Sequence, residues 1–146
     1  MLKNILVICE GNICRSPMAQ ALLASRLPGV NVISAGCAAL AGRPVDEFAV
    51  ELMAERSIDI RDHVAVNMNL EQVRMADLVL TMSNAQSKTV EARYPFAKGK
   101  VYCIGAPLGI EVADPYRRGR DAFVSSLNQI DRCIAVWIED LKKVIS

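Results

Sequence analysis

The residues with the clearest chemical potential lie near the N-terminus, in the stretch CEGNICRSP at positions 9–17. It contains two cysteines, Cys9 and Cys14, and an arginine, Arg15, that follows the first cysteine by six residues. A cysteine thiolate is a nucleophile and a metal ligand, and the planar guanidinium of arginine can bind two oxygens of a phosphate. The stretch therefore allows a metal clip, a disulfide, packed cysteines, or a nucleophile beside an anion site.

The composition argues against a metal site and against a disulfide framework. The chain has five cysteines but a single histidine, His63, whereas structural zinc sites need four ligands. The cysteines are odd in number and irregularly spaced, and the N-terminus lacks the pattern of a secretory signal. This combination is typical of reduced thiols. We therefore expect a cytoplasmic protein without a metal or a cofactor.

The charge balance gives no whole-molecule electrostatic field that would attract the protein to DNA or to an anionic membrane. There are 17 basic and 16 acidic residues, for a net charge of +1, so any attraction for an anion must be local. No segment approaches the ~18 consecutive apolar residues of a membrane span. With 146 residues, 52% of them hydrophobic, the chain can bury one core. We predict a single domain over residues 1–146, with no nucleic-acid partner and no membrane insertion.

Strand-like and helix-like segments alternate along the chain, and they would position the stretch at 9–17. Apolar runs rich in β-formers predict strands at 3–9, 30–35, 76–82 and 100–105. Helical spacing predicts helices at 16–27, 47–57, 84–94 and from 120 onwards. The apolar stripe of the last helix consists of Phe123, Leu127, Ile130, Ile134, Trp137 and Leu141. We expect Ser16 to be the N-cap of the first helix and Pro17 its first residue.

Strands that are apolar throughout and alternate with helices indicate a parallel sheet covered on both faces. The predicted fold is α/β, a three-layer sandwich with a central four-stranded parallel sheet, and we expect the strand order 2-1-3-4. Ligands of such sheets bind beyond the carboxyl ends of the strands. Because Cys9 ends the first predicted strand, the stretch lies where a binding site is expected.

A strand that runs through a short loop into a helix suits a bound phosphate. The N–H groups of the loop and the free N–H groups of the helix start converge on an anion. Gly11 permits a tight turn, Asn12 tolerates a left-handed conformation, and Arg15 closes the ring. The same positive environment favours a thiolate at Cys9. A Walker A loop is excluded, because no Gly-Lys-Ser/Thr is present.

These residues resemble the phosphate loop of the low-molecular-weight protein tyrosine phosphatases, Cys-x5-Arg-Ser with an inner Gly-Asn-x-Cys. Further segments match in the family's order: ISAG (33–36), ADLVLTM (76–82) and DPYR (114–117). Animal members carry a tryptophan in the loop after the second strand, where this sequence reads AALAG. The resemblance is therefore closer to the bacterial members that work beside tyrosine autokinases of capsule and exopolysaccharide export. It implies hydrolysis of phosphotyrosine through a phosphocysteine intermediate.

The resemblance also implies a role for each matching residue. Cys9 would be the nucleophile, Arg15 would hold the phosphate, and Asp114 would be the general acid and then the base. Alone, the DPY segment is more typical of an ordinary turn, and only its pairing with the loop favours catalysis. The implied substrate-binding residues are Glu10, Gly11, Asn12, Ile13, Cys14, Ser16, Leu40 and Tyr116. The residues implied to brace the loop are Asn12, Ser16, Ser34 and His63.

Two other functions remain open. An arsenate reductase of the same fold would bind arsenate in the same loop, but it needs a relay of further thiols. The related reductases place two of these after the third strand, where this sequence has no cysteine. A non-catalytic phosphate-recognition module would need neither Cys9 nor Asp114. The partners expected for a phosphatase are phosphotyrosine proteins, among them a membrane tyrosine autokinase, and phosphate or other oxyanions in the loop.

Cys14 has a separate expected role, since it shares a curled loop with Cys9. A reversible disulfide between the two would protect the nucleophile from over-oxidation. The remaining cysteines, Cys37, Cys103 and Cys133, are expected to pack in the interior.

Overall fold

Strands and helices alternate along the chain in the computed structural model, which describes residues 1–145. The strands are β1 (Asn4–Cys9), β2 (Asn31–Gly36), β3 (Leu78–Thr81) and β4 (Val101–Cys103). The helices are α1 (Arg15–Arg26), α2 (Glu47–Ala54), α3 (Leu70–Met75), α4 (Asn84–Arg93) and α5 (Arg120–Leu141). Two short 3-10 turns lie at Pro95–Ala97 and Ala106–Leu108. Within residues 1–145, no helix is long and apolar enough to cross a membrane.

The four strands form one parallel sheet in the order β2-β1-β3-β4. This confirms the predicted α/β fold and the expected strand order. In the register of the sheet, Cys9 lies opposite Gly36 and Ile8 opposite Thr81. The carboxyl ends of the three adjacent strands β2, β1 and β3 therefore meet at one edge, and the loop after β1 starts there.

Side chains on both faces of the sheet are buried, which explains why the strands are apolar throughout. Ile5, Val7 and Cys9 of β1 belong to a larger core shared with α1, α2 and α5. Leu6 and Ile8 point to the opposite face, into a smaller core shared with α3 and α4. Adjacent side chains of a strand point to opposite faces. The sheet is therefore the middle of three layers, as predicted.

The start of the first helix differs from the prediction. α1 begins at Arg15 with Cys14 as its N-cap, and Pro17 is the third helical residue rather than the first. The expectation that Ser16 caps the helix was wrong, because its hydroxyl is bonded to Cys9 Sγ and Asn12 Nδ2 instead. The helix therefore starts inside the loop, which brings its free N–H groups to the candidate site.

The helix α3 was not among the predicted helices. This helix has only six residues, too few for an apolar period to be recognised. Its start is fixed by a capping box, in which Asn69 and Gln72 each hydrogen-bond the backbone of the other. Val73 of α3 packs in the smaller core, so the helix helps to cover the second face of the sheet.

Gly36 lies where β2 comes closest to the loop after β1. A Cβ at this position would lie 2.5 Å from the carbonyl oxygen of Glu10 and 3.0 Å from Cα of Ala39. Both neighbouring atoms belong to the backbone, so neither can move aside without distorting the loop. Gly36, the last residue of ISAG, is thus required because there is no room for a side chain.

We expect Gly36→Ala to destabilise the protein by about 1–3 kcal/mol, as other overpacked sites are. Urea unfolding would measure the change. Gly11→Ala is the matched control, because the nearest atoms to its added Cβ are side-chain atoms of Leu40 at 3.7 Å and of Ile13 at 3.9 Å, which is ordinary van der Waals contact. Equal losses in the two variants would contradict the explanation.

Candidate active site

A pocket of about 250 Å³ lies beyond the carboxyl end of β1. It is lined by Cys9, Glu10, Gly11, Asn12, Ile13, Cys14, Arg15, Ala38, Leu40, Asp114 and Tyr116. Of these residues, only Ala38 was not singled out from the sequence, because an alanine carries no chemical signal. Ser16, expected at the substrate, lies outside the lining and is fully buried.

The loop at residues 10–14 turns at Asn12. Asn12 has the left-handed conformation, with φ of 60°, whereas Gly11 does not have a positive φ. Asparagine is one of the few non-glycine residues that tolerate this region. The conformational freedom expected of Gly11 is therefore not what turns the loop.

The carbonyl groups of the loop all point away from the pocket. Those of residues 9–13 accept hydrogen bonds from the N–H groups of Cys37, Ala38, Leu40 and Asp46 and from Nε2 of His63. In a trans peptide the N–H points opposite to the preceding C=O. The N–H groups of residues 10–14 are consequently directed inward, where they can bind the oxygens of an anion.

Two hydrogen-bond donors contact the sulfur of Cys9. The N–H of Asn12 lies 3.2 Å from Sγ, and the Ser16 hydroxyl lies 2.9 Å from it. Asn12 Nδ2 donates to the same hydroxyl oxygen at 2.8 Å, which leaves the proton of Ser16 free to point at sulfur. Hydrogen bonds of this kind stabilise a thiolate.

The side chains behind the loop form a continuous hydrogen-bond network. Asn12 Nδ2 also donates to Ser34 Oγ at 3.0 Å, and Asn12 Oδ1 accepts from the N–H of Val66 at 3.0 Å. Ser34 Oγ in turn donates to Gln20 Oε1 at 2.6 Å. The structure thus brings together Asn12, Ser16 and Ser34 as the resemblance implied. It adds Gln20, which nothing in the sequence distinguished from an ordinary helix residue.

His63 supports the loop through the backbone. Its Nε2 lies 3.1 Å from the carbonyl oxygen of Asn12, and since a carbonyl can only accept, Nε2 carries the proton. Burial lowers the pKa of His63, and the hydrogen bond to Asn12 only partly offsets this effect.

Arg15 connects the loop to the segment that carries Asp114. Its side chain is buried, and Nη1 donates to the carbonyl oxygen of Val112 at 3.0 Å. Nη2 lies 3.7 Å from Asp114 Oδ2, and the Asp114 side chain is 46% exposed. The carboxylate also accepts the N–H of Tyr116 at 3.1 Å. Arg15 and Asp114, far apart in the sequence, therefore meet at one pocket.

Four cysteines have thiols that burial makes harder to ionise. Burial raises the pKa of Cys14, with a further contribution from the Asp46 carboxylate. Burial likewise raises the pKa of Cys37, Cys103 and Cys133. Cys103 and Cys133 are buried and Cys37 is partly buried, and these three lie outside the pocket lining.

A thiol placed in an oxyanion loop at the end of a central parallel strand is the arrangement of the cysteine-dependent phosphatases. In these enzymes sulfur rather than water attacks phosphorus first. The fold and the site together define this class.

Comparison with known proteins gives the family. The family described as "Low molecular weight phosphotyrosine protein phosphatase" matches residues 4–146. The chain belongs to this family and is a protein tyrosine phosphatase, as its resemblance implied. It is 47% identical over 142 residues to the "Probable low molecular weight protein-tyrosine-phosphatase EpsP" of Ralstonia nicotianae, and the match covers 97% of this chain and 98% of that protein.

Solved structures of phosphatases share this fold. Wzb of Vibrio vulnificus in complex with benzylphosphonate has a TM-score of 0.92 at 33% identity, covering 96% of this chain and 99% of that one. The YwlE arginine phosphatase of Geobacillus stearothermophilus has a TM-score of 0.90 at 30% identity, covering 97% and 94%.

The lowered pKa of His63 predicts a pH dependence of stability. The unfolded chain, whose histidine has a pKa near 6.5, takes up a proton before the folded protein does as the pH falls. The contribution of the neutral histidine is therefore present above about pH 6.5 and lost below it. His63→Gln keeps a donor for the Asn12 carbonyl but does not titrate.

We expect the free energy of unfolding of the wild type to decrease more than that of His63→Gln between about pH 7.5 and about pH 5.5. Urea unfolding at the two pH values would measure both proteins. The same decrease in the variant would show that His63 does not cause it.

Proposed function

We propose that residues 1–146 act as one phosphatase domain in which Cys9 is the nucleophile and Asp114 the general acid and base. The observation that supports this most directly is the environment of the Cys9 sulfur. It has donors at 2.9 and 3.2 Å and lies in a pocket that Arg15 and Asp114 also line. Leu40 and Tyr116 in the lining offer apolar surface to the ring of a phosphotyrosine.

In the proposed first step, Cys9 Sγ attacks phosphorus. The S–P bond forms while the P–O bond to the tyrosine breaks, and Asp114 gives its proton to the leaving oxygen. Arg15 and the inward N–H groups of the loop hold the other phosphate oxygens. A phenol has a pKa near 10, so a proton donor is needed for it to leave easily. A positioned acid typically contributes roughly 10²–10⁴-fold.

In the second step, water attacks phosphorus and Asp114 takes a proton from it. The S–P bond breaks, its electron pair returns to sulfur, and inorganic phosphate is released. The Ser16 hydroxyl, 2.9 Å from Sγ, then stabilises the departing thiolate. Asn12, Ser34 and His63 hold the loop in shape through both steps.

Two variants test these roles on a series of aryl phosphates. Cys9→Ser should abolish turnover but still bind phosphate, because serine is a far weaker nucleophile in this setting. Asp114→Asn should lower kcat/KM, which reflects only the steps up to release of the phenol, by roughly 10²-fold or more for phenyl phosphate and much less for nitrophenyl phosphates, whose leaving groups need no proton.

The control is Asp62→Asn, since Asp62 is exposed and lies outside the pocket lining; it should not change kcat. Turnover by Cys9→Ser would contradict the nucleophile assignment. A loss of kcat/KM of the same size for every leaving group in Asp114→Asn would contradict the general acid.

The substrate we propose is a bacterial tyrosine autokinase of exopolysaccharide production, met in the cytoplasm. The similarity to EpsP and the tryptophan-free AALAG segment support this choice, and a catalytic thiol requires a reducing compartment. Cys9→Ser should capture a tyrosine-phosphorylated membrane kinase from a lysate of the source cells, and free phosphate should release it. Capture of proteins phosphorylated on arginine instead would favour the activity named for YwlE.

We further propose that Cys14 protects Cys9 from over-oxidation. Both residues line the same pocket. Peroxide would oxidise the Cys9 thiolate to a sulfenic acid, and the Cys14 thiol would then form the S–S bond and release water. The raised pKa of Cys14 slows this second reaction but does not prevent it.

After peroxide treatment, Cys14→Ser should regain less activity than the wild type when a thiol reductant is added. Recovered kcat on an aryl phosphate measures the effect. Cys37→Ser, which alters a partly buried cysteine outside the pocket lining, should recover like the wild type. Equal recovery by Cys14→Ser would rule out the protective role.

A further inference from the structure

Asp114 lies in a segment with no regular structure. Residues 109–119, between the second 3-10 turn and α5, contain neither helix nor strand. A general acid must come within about 2.6–3.2 Å of the oxygen that it protonates. A side chain that is about half exposed on such a segment needs backbone contacts to hold it at that distance.

Two side chains of α5 hold the residue directly before Asp114. Ser126 Oγ donates to the carbonyl oxygen of Ala113 at 2.6 Å. Gln129 Oε1 accepts the N–H of Ala113 at 2.9 Å. Ser126 and Gln129 are three residues apart and therefore lie on the same face of α5. Both backbone polar groups of Ala113 are thus bonded to one rigid helix.

Apart from the bonds to Ala113, no structural reason for polar side chains at Ser126 and Gln129 is evident. Ser126 is 1% exposed, yet it is next to Leu127 and close to Phe123 and Ile130, which belong to the larger core. A buried hydroxyl is costly unless it is hydrogen-bonded. Its partner in the structure is Ala113, and neither Ser126 nor Gln129 lines the pocket.

The residue before Ala113 is fixed as well, by other parts of the protein. The N–H of Val112 donates to the carbonyl of Met82, the residue directly after β3, and the carbonyl of Val112 accepts from Arg15. After Asp114 the backbone contacts are local, as in the bond from Arg118 N to the carbonyl of Pro115. Asp114 therefore follows two residues, Val112 and Ala113, whose backbone groups are bonded to other parts of the protein, and it precedes a turn whose backbone bonds are local.

We propose that Ser126 and Gln129 are positioning residues for the reaction, which hold Asp114 where its proton can reach the leaving oxygen. The proposal rests on the proposed role of Asp114 as general acid. Loss of either bond frees one side of Ala113 and lets the Asp114 carboxyl drift. A misplacement of about 1 Å can cost roughly 10²-fold in rate.

Ser126→Ala and Gln129→Leu test the proposal with the same aryl phosphates. Each should lower kcat/KM for phenyl phosphate by roughly tenfold or more, with a much smaller effect for nitrophenyl phosphates, whose leaving groups need no proton. Gln129→Glu keeps an acceptor for the Ala113 N–H and should restore most of the lost rate. The rate at which iodoacetate alkylates Cys9 should not change in any variant.

Two controls separate positioning from a general loss of stability. Ser125→Ala and Asn128→Leu make matching changes at exposed positions of the same helix and should leave kcat unchanged. In an Asp114→Asn background, Gln129→Leu should cause no further loss, because the acid that it positions is gone.

A loss of kcat/KM of equal size for all leaving groups would overturn the proposal, and so would a Gln129→Glu variant no better than Gln129→Leu. If Ser126→Ala does not fold, the two Gln129 variants decide, since that side chain is only partly buried. If Asp114→Asn itself shows no dependence on the leaving group, the general-acid assignment fails first, and the positioning proposal falls with it.

Discussion

The shape of the site depends on one buried side chain, Asn12. Every hydrogen-bonding group of this residue has a partner. Its backbone N–H donates to Cys9 Sγ, and its backbone carbonyl accepts from His63. Its side-chain Nδ2 donates to Ser16 and Ser34, and its Oδ1 accepts from the N–H of Val66. Its backbone is in the left-handed conformation, which few residues other than glycine and asparagine tolerate. A buried polar network is stabilising only when every member is satisfied, so the loop has essentially one conformation available.

That conformation explains how a protein with a net charge of +1 can bind a dianion. The carbonyl groups of the loop are occupied on the outside by the segments around Cys37–Leu40, by Asp46 and by His63. The positive ends of the peptide dipoles therefore face the pocket, together with the start of α1 and the buried Arg15. The attraction is local and preorganised, and it needs no excess of basic residues elsewhere.

The features that could be predicted from the sequence are those with a recognisable residue pattern. Apolar strands gave the parallel sheet, and the spacing from Cys9 to Arg15 pointed to the phosphate loop. Contacts made through backbone atoms could not be predicted, because every residue has a carbonyl group. The carbonyl of Val112 accepts a hydrogen bond from Arg15, and the valine side chain gives no indication of this bond. Ser16 was misjudged as a helix cap because a hydroxyl has several possible partners, and only the fold decides among them. The bonds of Gln20, Ser126 and Gln129 were invisible for the same reason.

Arg15 shows why the two halves of the site behave as one unit. It belongs to the phosphate loop, but one of its donors is committed to Val112 O, two residues before Asp114. A guanidinium has five N–H donors, so the remaining ones can bind phosphate while this bond stays in place. On the other side, α5 both packs against α1 and holds Ala113 through Ser126 and Gln129. The loop after Cys9 continues into α1, and Asp114 follows the residue held by α5, so one pair of packed helices links Cys9 to Asp114.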